Sequence, residues 1–282
     1  MADEKERNEK IDTLKEFGTT NLPPRQADRI QVLPIIGQIE GHMVLSPQTK
    51  ATRYEHLIPQ LIALETSKEV EGVFIILNTV GGDVEAGLAI AEMIRSLSKP
   101  TVSLVIGGGH SIGVPLATSA DYSFISPTAT MIVHPIRMNG LIIGVPQTFE
   151  YFNKMQERII EFIVRTSKIS KEKLKEFMLQ SDELLNDMGT ILIGKQAVES
   201  GIINEVGGVK EALDKLNNLI DEKQKRMSQN SLNFKTVNIN NTSIKQFILL
   251  SSSKFDSIKN FLPSRGAFLG FTIGSSRPVR NY

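Results

Sequence analysis

A chain of 282 residues, 40% hydrophobic and 22% charged, is long enough to bury one sizeable core and to carry appendages beyond it. Its 32 basic and 31 acidic side chains leave a net charge of +1, which excludes the broad positive field that draws nucleic acid or an anionic membrane surface. The absence of cysteine removes a disulfide framework, a thiolate zinc site and a cysteine nucleophile together.

Residues 1–29 mix acidic and basic side chains, are punctuated by Gly18, Pro23 and Pro24, and lack the apolar stretch of a secretory signal, so they are predicted as a flexible charged leader. No apolar run approaches the roughly 18 to 20 residues needed to cross a bilayer, and no integral membrane segment is expected. Ile30–Ile36 is the first predicted strand. Tyr54–Ser67 places Leu57, Ile58, Leu61, Ile62 and Leu64 at helical spacing and leads into the β-rich run Val73–Leu77. After a predicted turn over Asn78–Asp83, helical periodicity resumes over Val84–Leu97, and Thr101–Ile106 is a further strand, ending in Gly107-Gly108-Gly109. This alternation of strands and helices defines an α/β domain.

Gly109-His110-Ser111-Ile112-Gly113 sets a serine at a strand-to-helix turn, where its hydroxyl is exposed and backbone N–H groups, that of Ile112 in particular, face any anion formed on an attacked carbonyl. The pattern fits acyl transfer, and it equally fits a serine that caps the helix Ile112–Ala120. The order of an α/β-hydrolase is excluded, because the one histidine after Ser111 is His134 and the one carboxylate between them is Asp121. Of the four histidines, His42 and His56 lie among polar loop or helix residues, and His110 adjoins the serine and should point elsewhere. His134 ends the β-compatible run Thr130–Val133 and emerges at Pro135, as a general base or as a structural histidine at a strand end.

Phe149–Thr166 repeats Phe152, Met155, Ile159, Ile160 and Ile163 at steps that make one apolar helical face, for core packing. A short helix after Gly194, a strand at Ile202-Ile203 and a terminal helix over Val209–Asp221 are predicted to close the domain, giving an organisation of 1–29 leader, 30–227 domain and 228–282 Ser/Asn-rich C-terminal extension. The Asn-x-Thr triplet at Asn240 is a chance match to a glycosylation acceptor in this setting.

Five strings resemble, in order and spacing, successive signatures of the ClpP-type serine peptidases: Ile35–Met43, Leu77–Gly82, Gly109–Gly113, Met131–Pro135 and Ala197–Ile203. Within that family Thr79–Gly87, Gly107–Gly113 and Gly144–Tyr151 look most similar to the translocation-enhancing branch. The resemblance spans roughly residues 30–215 and implies a ClpP/crotonase-like spiral of ββα units with a handle helix, flanked by flexible tails. It implies Ser111 as nucleophile, His134 as base, and an oxyanion hole from the N–H groups of Gly81 or Gly82 and of Ile112. The family's acidic position falls on Gly189, so the third member is expected to be Asp187, with Asp182 and Glu183 as fallbacks and a Ser-His dyad as the other arrangement.

Phe149–Met178 resembles the handle that joins two rings, and Gly140–Pro146 the substrate-guiding strand before it. The resemblance therefore implies a ring-forming homo-oligomer that needs no metal or cofactor and cleaves peptides or unfolded protein segments, in the cytoplasm and peripheral to the translocation machinery. With no G-x-x-x-x-G-K-[ST] loop, any ATP dependence would come from a separate unfoldase. A catalytically weak scaffold that assists export, and a crotonase-type acyl-CoA enzyme, are the alternative readings.

Overall fold

The computed structural model describes residues 29–137, 144–181 and 188–229. Contacts divide the chain into Met1–Gln224 and Lys225–Tyr282, and the architecture below is that of the first unit.

Six strands form one parallel sheet: β1 (Ile30–Glu40), β2 (Ala51–Arg53), β3 (Gly72–Gly82), β4 (Thr101–Gly109), β5 (Tyr122–Ile125) and β8 (Glu205–Val206), in the order β2-β1-β3-β4-β5-β8. From the far end of β4 a branch leaves: β6 (Thr130–Val133) pairs with it in parallel at Gly108↔Thr130, then antiparallel with β7 (Thr190–Ile193). The helices are α1 (Tyr54–Thr66), α2 (Val84–Ser96), α3 (Gly113–Thr118), α4 (Val145–Thr166), α5 (Lys171–Leu179), α6 (Lys195–Glu199) and α7, which within this unit runs over 209–224.

A parallel sheet is covered on both faces, so its central strands are apolar on both sides. Leu33 and Ile35 of β1 and Ile75 and Leu77 of β3 pack in one cluster with Leu57 and Leu61 of α1 and Ile90 and Ile94 of α2. Phe74, Val102, Leu104 and Phe124 face the other way, onto Ala212, Leu216 and Ile220 of α7. The period of two along β3 thus selects which helix layer each side chain meets.

Three expected elements differ. Asn78–Gly82, read as a turn, continues β3 as a strand, because Gly81 and Gly82 adopt φ of 91° and 150° and still pair with Gln38 and Ile39. Ile202 and Ile203, read as a strand, are buried in the first cluster, and the strand is formed by Glu205–Val206. The helix predicted over Phe149–Thr166 starts four residues earlier, at Val145, with Pro146 in its first turn, where a missing N–H leaves no hydrogen bond unmade.

Asp121 closes the end of β4 remote from the Ser111 turn, its carboxylate accepting from the N–H and hydroxyl of buried Thr101 at 2.9 and 3.1 Å and pairing with Arg95 at 3.2 Å. Asp121→Ala is expected to cost about 1–3 kcal/mol in a denaturant titration, because the Thr101 N–H loses its acceptor inside the protein. An unchanged midpoint would contradict that role.

Candidate active site

The site gathers at the C-terminal ends of β3 and β4, beside β6. Ser111 follows β4 and has φ of 56°, the one non-glycine residue of positive φ among those described. A left-handed conformation costs an ordinary residue roughly 1–2 kcal/mol, so it persists only where surrounding bonds fix it. The His110 N–H donates to Thr79 O of β3 at 3.1 Å, the Ser111 N–H to Ile132 O of β6 at 2.8 Å, and the Gly113 and Val114 N–H groups to His110 O and Ser111 O at 2.8 and 3.0 Å. The Ile112 N–H, next along the chain, stands outside these bonds. Ile112 and all of α3 behind it are buried, which makes the turn a rigid support.

Gly81 lies against the serine. A Cβ there would stand 2.7 Å from the Ser111 Cβ and 2.8 Å from His110 O. Its N–H donates to Thr79 Oγ1 at 3.0 Å. On the neighbouring residue, pairing of Ile39 with Gly82, and the Asp83 N–H bond to Ile39 O at 3.0 Å, aim the N–H of exposed Gly82 away from β1. Of the two glycines expected to supply a donor, Gly81 has its N–H bonded to Thr79, while Gly82 is the exposed one. Asp83 then starts α2, its carboxylate accepting the Ala86 N–H at 2.8 Å.

His134 leaves the end of β6, half-buried, two residues after the carbonyl that holds the Ser111 N–H. Its Nδ1 stands 2.6 Å from Pro135 O. A carbonyl can only accept, so this contact requires the proton on Nδ1 and leaves a lone pair on Nε2. His110, set aside in the sequence reading, turns onto the same strand, its Nε2 2.8 Å from Thr130 Oγ1. Burial, with the charge of nearby His134 as a smaller cause, holds the His110 pKa below the ordinary histidine value. Thr79, Thr130 and the Pro135 carbonyl escaped the sequence reading; the threonine two residues before Gly81 was the one local signal, a hydroxyl able to take an N–H two residues on.

Asp187, Asp182 and Glu183 lie outside the described residues, as do residues 140–143 of the expected substrate-guiding strand. Gly189, at the position where the resemblance puts an acid, donates its N–H to Gln180 O at 2.7 Å. The expected handle is two helices, α4 and α5, broken at Ser167–Ser170, and Ser170 caps the second by accepting the Lys173 N–H. Between them an apolar groove of about 390 Å³ begins at Pro135 and Ile136, next to His134, and continues along Phe149, Phe152, Ile160 and Met178. A separate hollow between α2 and α4 is lined by the ion pairs Arg158–Glu85 and Arg165–Glu92, each 2.6 Å, and contains none of the turn residues.

The Clp protease family model matches residues 28–210, and the chain belongs to that family, with its mixed α/β fold. It is 58% identical over 214 residues to the translocation-enhancing protein TepA of Halalkalibacterium halodurans, covering 76% of this chain and 84% of that protein. Two more distant relatives are ATP-dependent Clp protease proteolytic subunits. That of Lactococcus lactis subsp. cremoris is 26% identical over 183 residues, covering 62% of this chain and 82% of the relative. That of Leuconostoc citreum is 25% identical over 178 residues, covering 58% and 82%. Among the described residues no helix is long and apolar enough to cross a membrane.

Proposed function

We propose that the chain is a serine endopeptidase that cleaves peptides or unfolded protein segments through an acyl-enzyme on Ser111. The observation that carries this reading is the strained serine itself: its backbone N–H is bonded to the strand that ends in His134. Strain of this kind, over-determined by neighbouring bonds, is characteristic of functional turns.

In the reaction, Ser111 Oγ attacks the scissile carbonyl and its proton passes to His134 Nε2. The oxyanion accepts from the N–H groups of Gly82 and Ile112, while Gly81, its own N–H held by Thr79, shapes the floor. The tetrahedral adduct collapses, the C–N bond breaks, and the departing amine takes the proton from Nε2. Water then attacks the ester, giving its proton to Nε2, and the carboxylic product leaves as Ser111 regains its hydrogen. The groove that starts at Pro135 suits an apolar peptide side chain.

The Pro135 carbonyl holds the tautomer this cycle needs, and Asp187 is the carboxylate proposed to stabilise the imidazolium. Asp187→Asn is accordingly expected to slow turnover by less than the roughly 10⁴-fold typical where a carboxylate alone fixes the tautomer. A loss equal to that of His134→Ala would contradict the role given to Pro135.

The likeness to the translocation-enhancing protein TepA supports a contribution to protein translocation; signal peptides as substrates and a location in the cytoplasm peripheral to that machinery are part of the same proposal. The likeness to the proteolytic subunits supports a homo-oligomeric ring and a separate ATPase that unfolds and feeds substrate.

The test is labelling of the purified protein with a fluorophosphonate, with mass analysis of the adduct. A single phosphonyl group on Ser111 is expected. An unlabelled, folded protein would favour the second reading, an inactive ClpP-like scaffold that binds export partners.

A further inference from the structure

We infer that His110 is a positioning residue: through its bond to Thr130 it holds the Ser111 turn in register with the strand that ends at His134. The inference rests on the peptidase reading above. It begins from the weakness of the join between the two halves of the site. β6 is paired with β4 at Gly108↔Thr130 alone, and β7 supports its other edge. The Ser111 N–H bond to Ile132 O is a single point about which the turn could pivot.

His110 supplies the second point. Its ring folds back over Gly108, where a Cβ would come within 3.1 Å of its Cε1, and its Nε2 reaches Thr130 Oγ1 at 2.8 Å. Thr130 and His134 are four residues apart, so their side chains leave the same side of an extended chain. The bond at Thr130 and the bond at Ile132 together attach the turn to β6 at two successive positions, and His134 is the next residue on that alternation. Thr79 anchors the turn to β3 through the His110 backbone, so this one residue joins the nucleophile to both flanking strands. Burial, with the charge of His134 as a smaller cause, lowers the pKa of this ring and so favours its uncharged form.

The experiment compares fluorophosphonate labelling of wild type, Thr130→Val, Thr130→Ser, His110→Leu and the Thr130→Val/His110→Leu double variant, with thermal midpoints recorded in parallel. Thr130→Val is near-isosteric and removes only the hydroxyl. Its maximal labelling rate is expected to fall about tenfold, the worth of one such hydrogen bond, with the half-saturating probe concentration unchanged. Thr130→Ser is expected to label within about twofold of wild type, and the double variant no more slowly than His110→Leu alone, because both substitutions remove one interaction. Wild-type rates in Thr130→Val, or Thr130→Ser as slow as Thr130→Val at an unchanged midpoint, would overturn the inference while leaving the peptidase reading intact. Failure of wild type itself to label at Ser111 would instead overturn the peptidase reading.

Discussion

Replacement of His134 by alanine is expected to lower the rate of peptide cleavage by about 10⁴- to 10⁶-fold, and Ser111→Ala to lower it as far, with the double variant no worse than either. The size follows from the groups acting as a unit. Without Nε2 the serine proton has no acceptor, and without Oγ the imidazole has nothing to activate. Neither change should unfold the protein, since both side chains are half-buried and the bonds that fix the turn are made by backbone and by His110. Steady-state cleavage of an unstructured peptide, with circular dichroism as a control, measures this. A His134→Ala variant within tenfold of wild type would remove the histidine from the mechanism, and equal loss without any labelling in wild type would remove the mechanism itself.

The second large effect belongs to Gly81. Alanine at this position would carry φ of 91°, in the left-handed region, and its Cβ would overlap the Ser111 Cβ at 2.7 Å and His110 O at 2.8 Å. Strain of roughly 1–2 kcal/mol for the conformation and about 1–3 kcal/mol for the overlap set the expected loss of stability. The Ser111 turn is the part able to give way. A displacement near 1 Å at a reacting group costs on the order of 100-fold, so Gly81→Ala should retain the fold and lose at least that much activity. Chemical denaturation and cleavage rates on the same preparation separate the two effects, and a variant with wild-type stability and rate would show that Gly81 does not touch the serine as described.

Much of this layout was legible in the chain, for reasons that differ residue by residue. Val73–Leu77 could be read as a buried strand because five apolar residues in a row have few other uses, and the sheet buries both faces of that run. Ser111 and His134 were legible as candidates because a serine between close glycines and a histidine at the end of a β-run are local patterns. β2, β5 and β7 were not foreseen: they have three or four residues each, and what makes them strands is a partner supplied from elsewhere in the chain. Ile202 and Ile203 misled for the opposite reason, since burial alone does not distinguish a strand from a packed bend. The direction of the His110 side chain is not legible from its adjacency to the serine. Its true direction depends on the positive φ of Ser111 and on the pairing of Gly108 with Thr130, neither of which is a local property.

The antiparallel pairing of β6 with β7 has a consequence for the order in which the molecule is made. Thr130 faces Ile193, so the strand that leads to His134 gains its outer neighbour only after α4 and α5 have been synthesised. Contacts so distant along the chain close late, because the intervening loop entropy is lost before they return anything. A nascent chain that has emerged only as far as α4 carries Ser111 and His134 without the edge that steadies them. The support of the strand beside the Ser111 turn is thereby completed late in domain folding, and if the proposed peptidase activity holds, a half-made chain lacks the assembled site that would cut the unfolded segments around it, its own included.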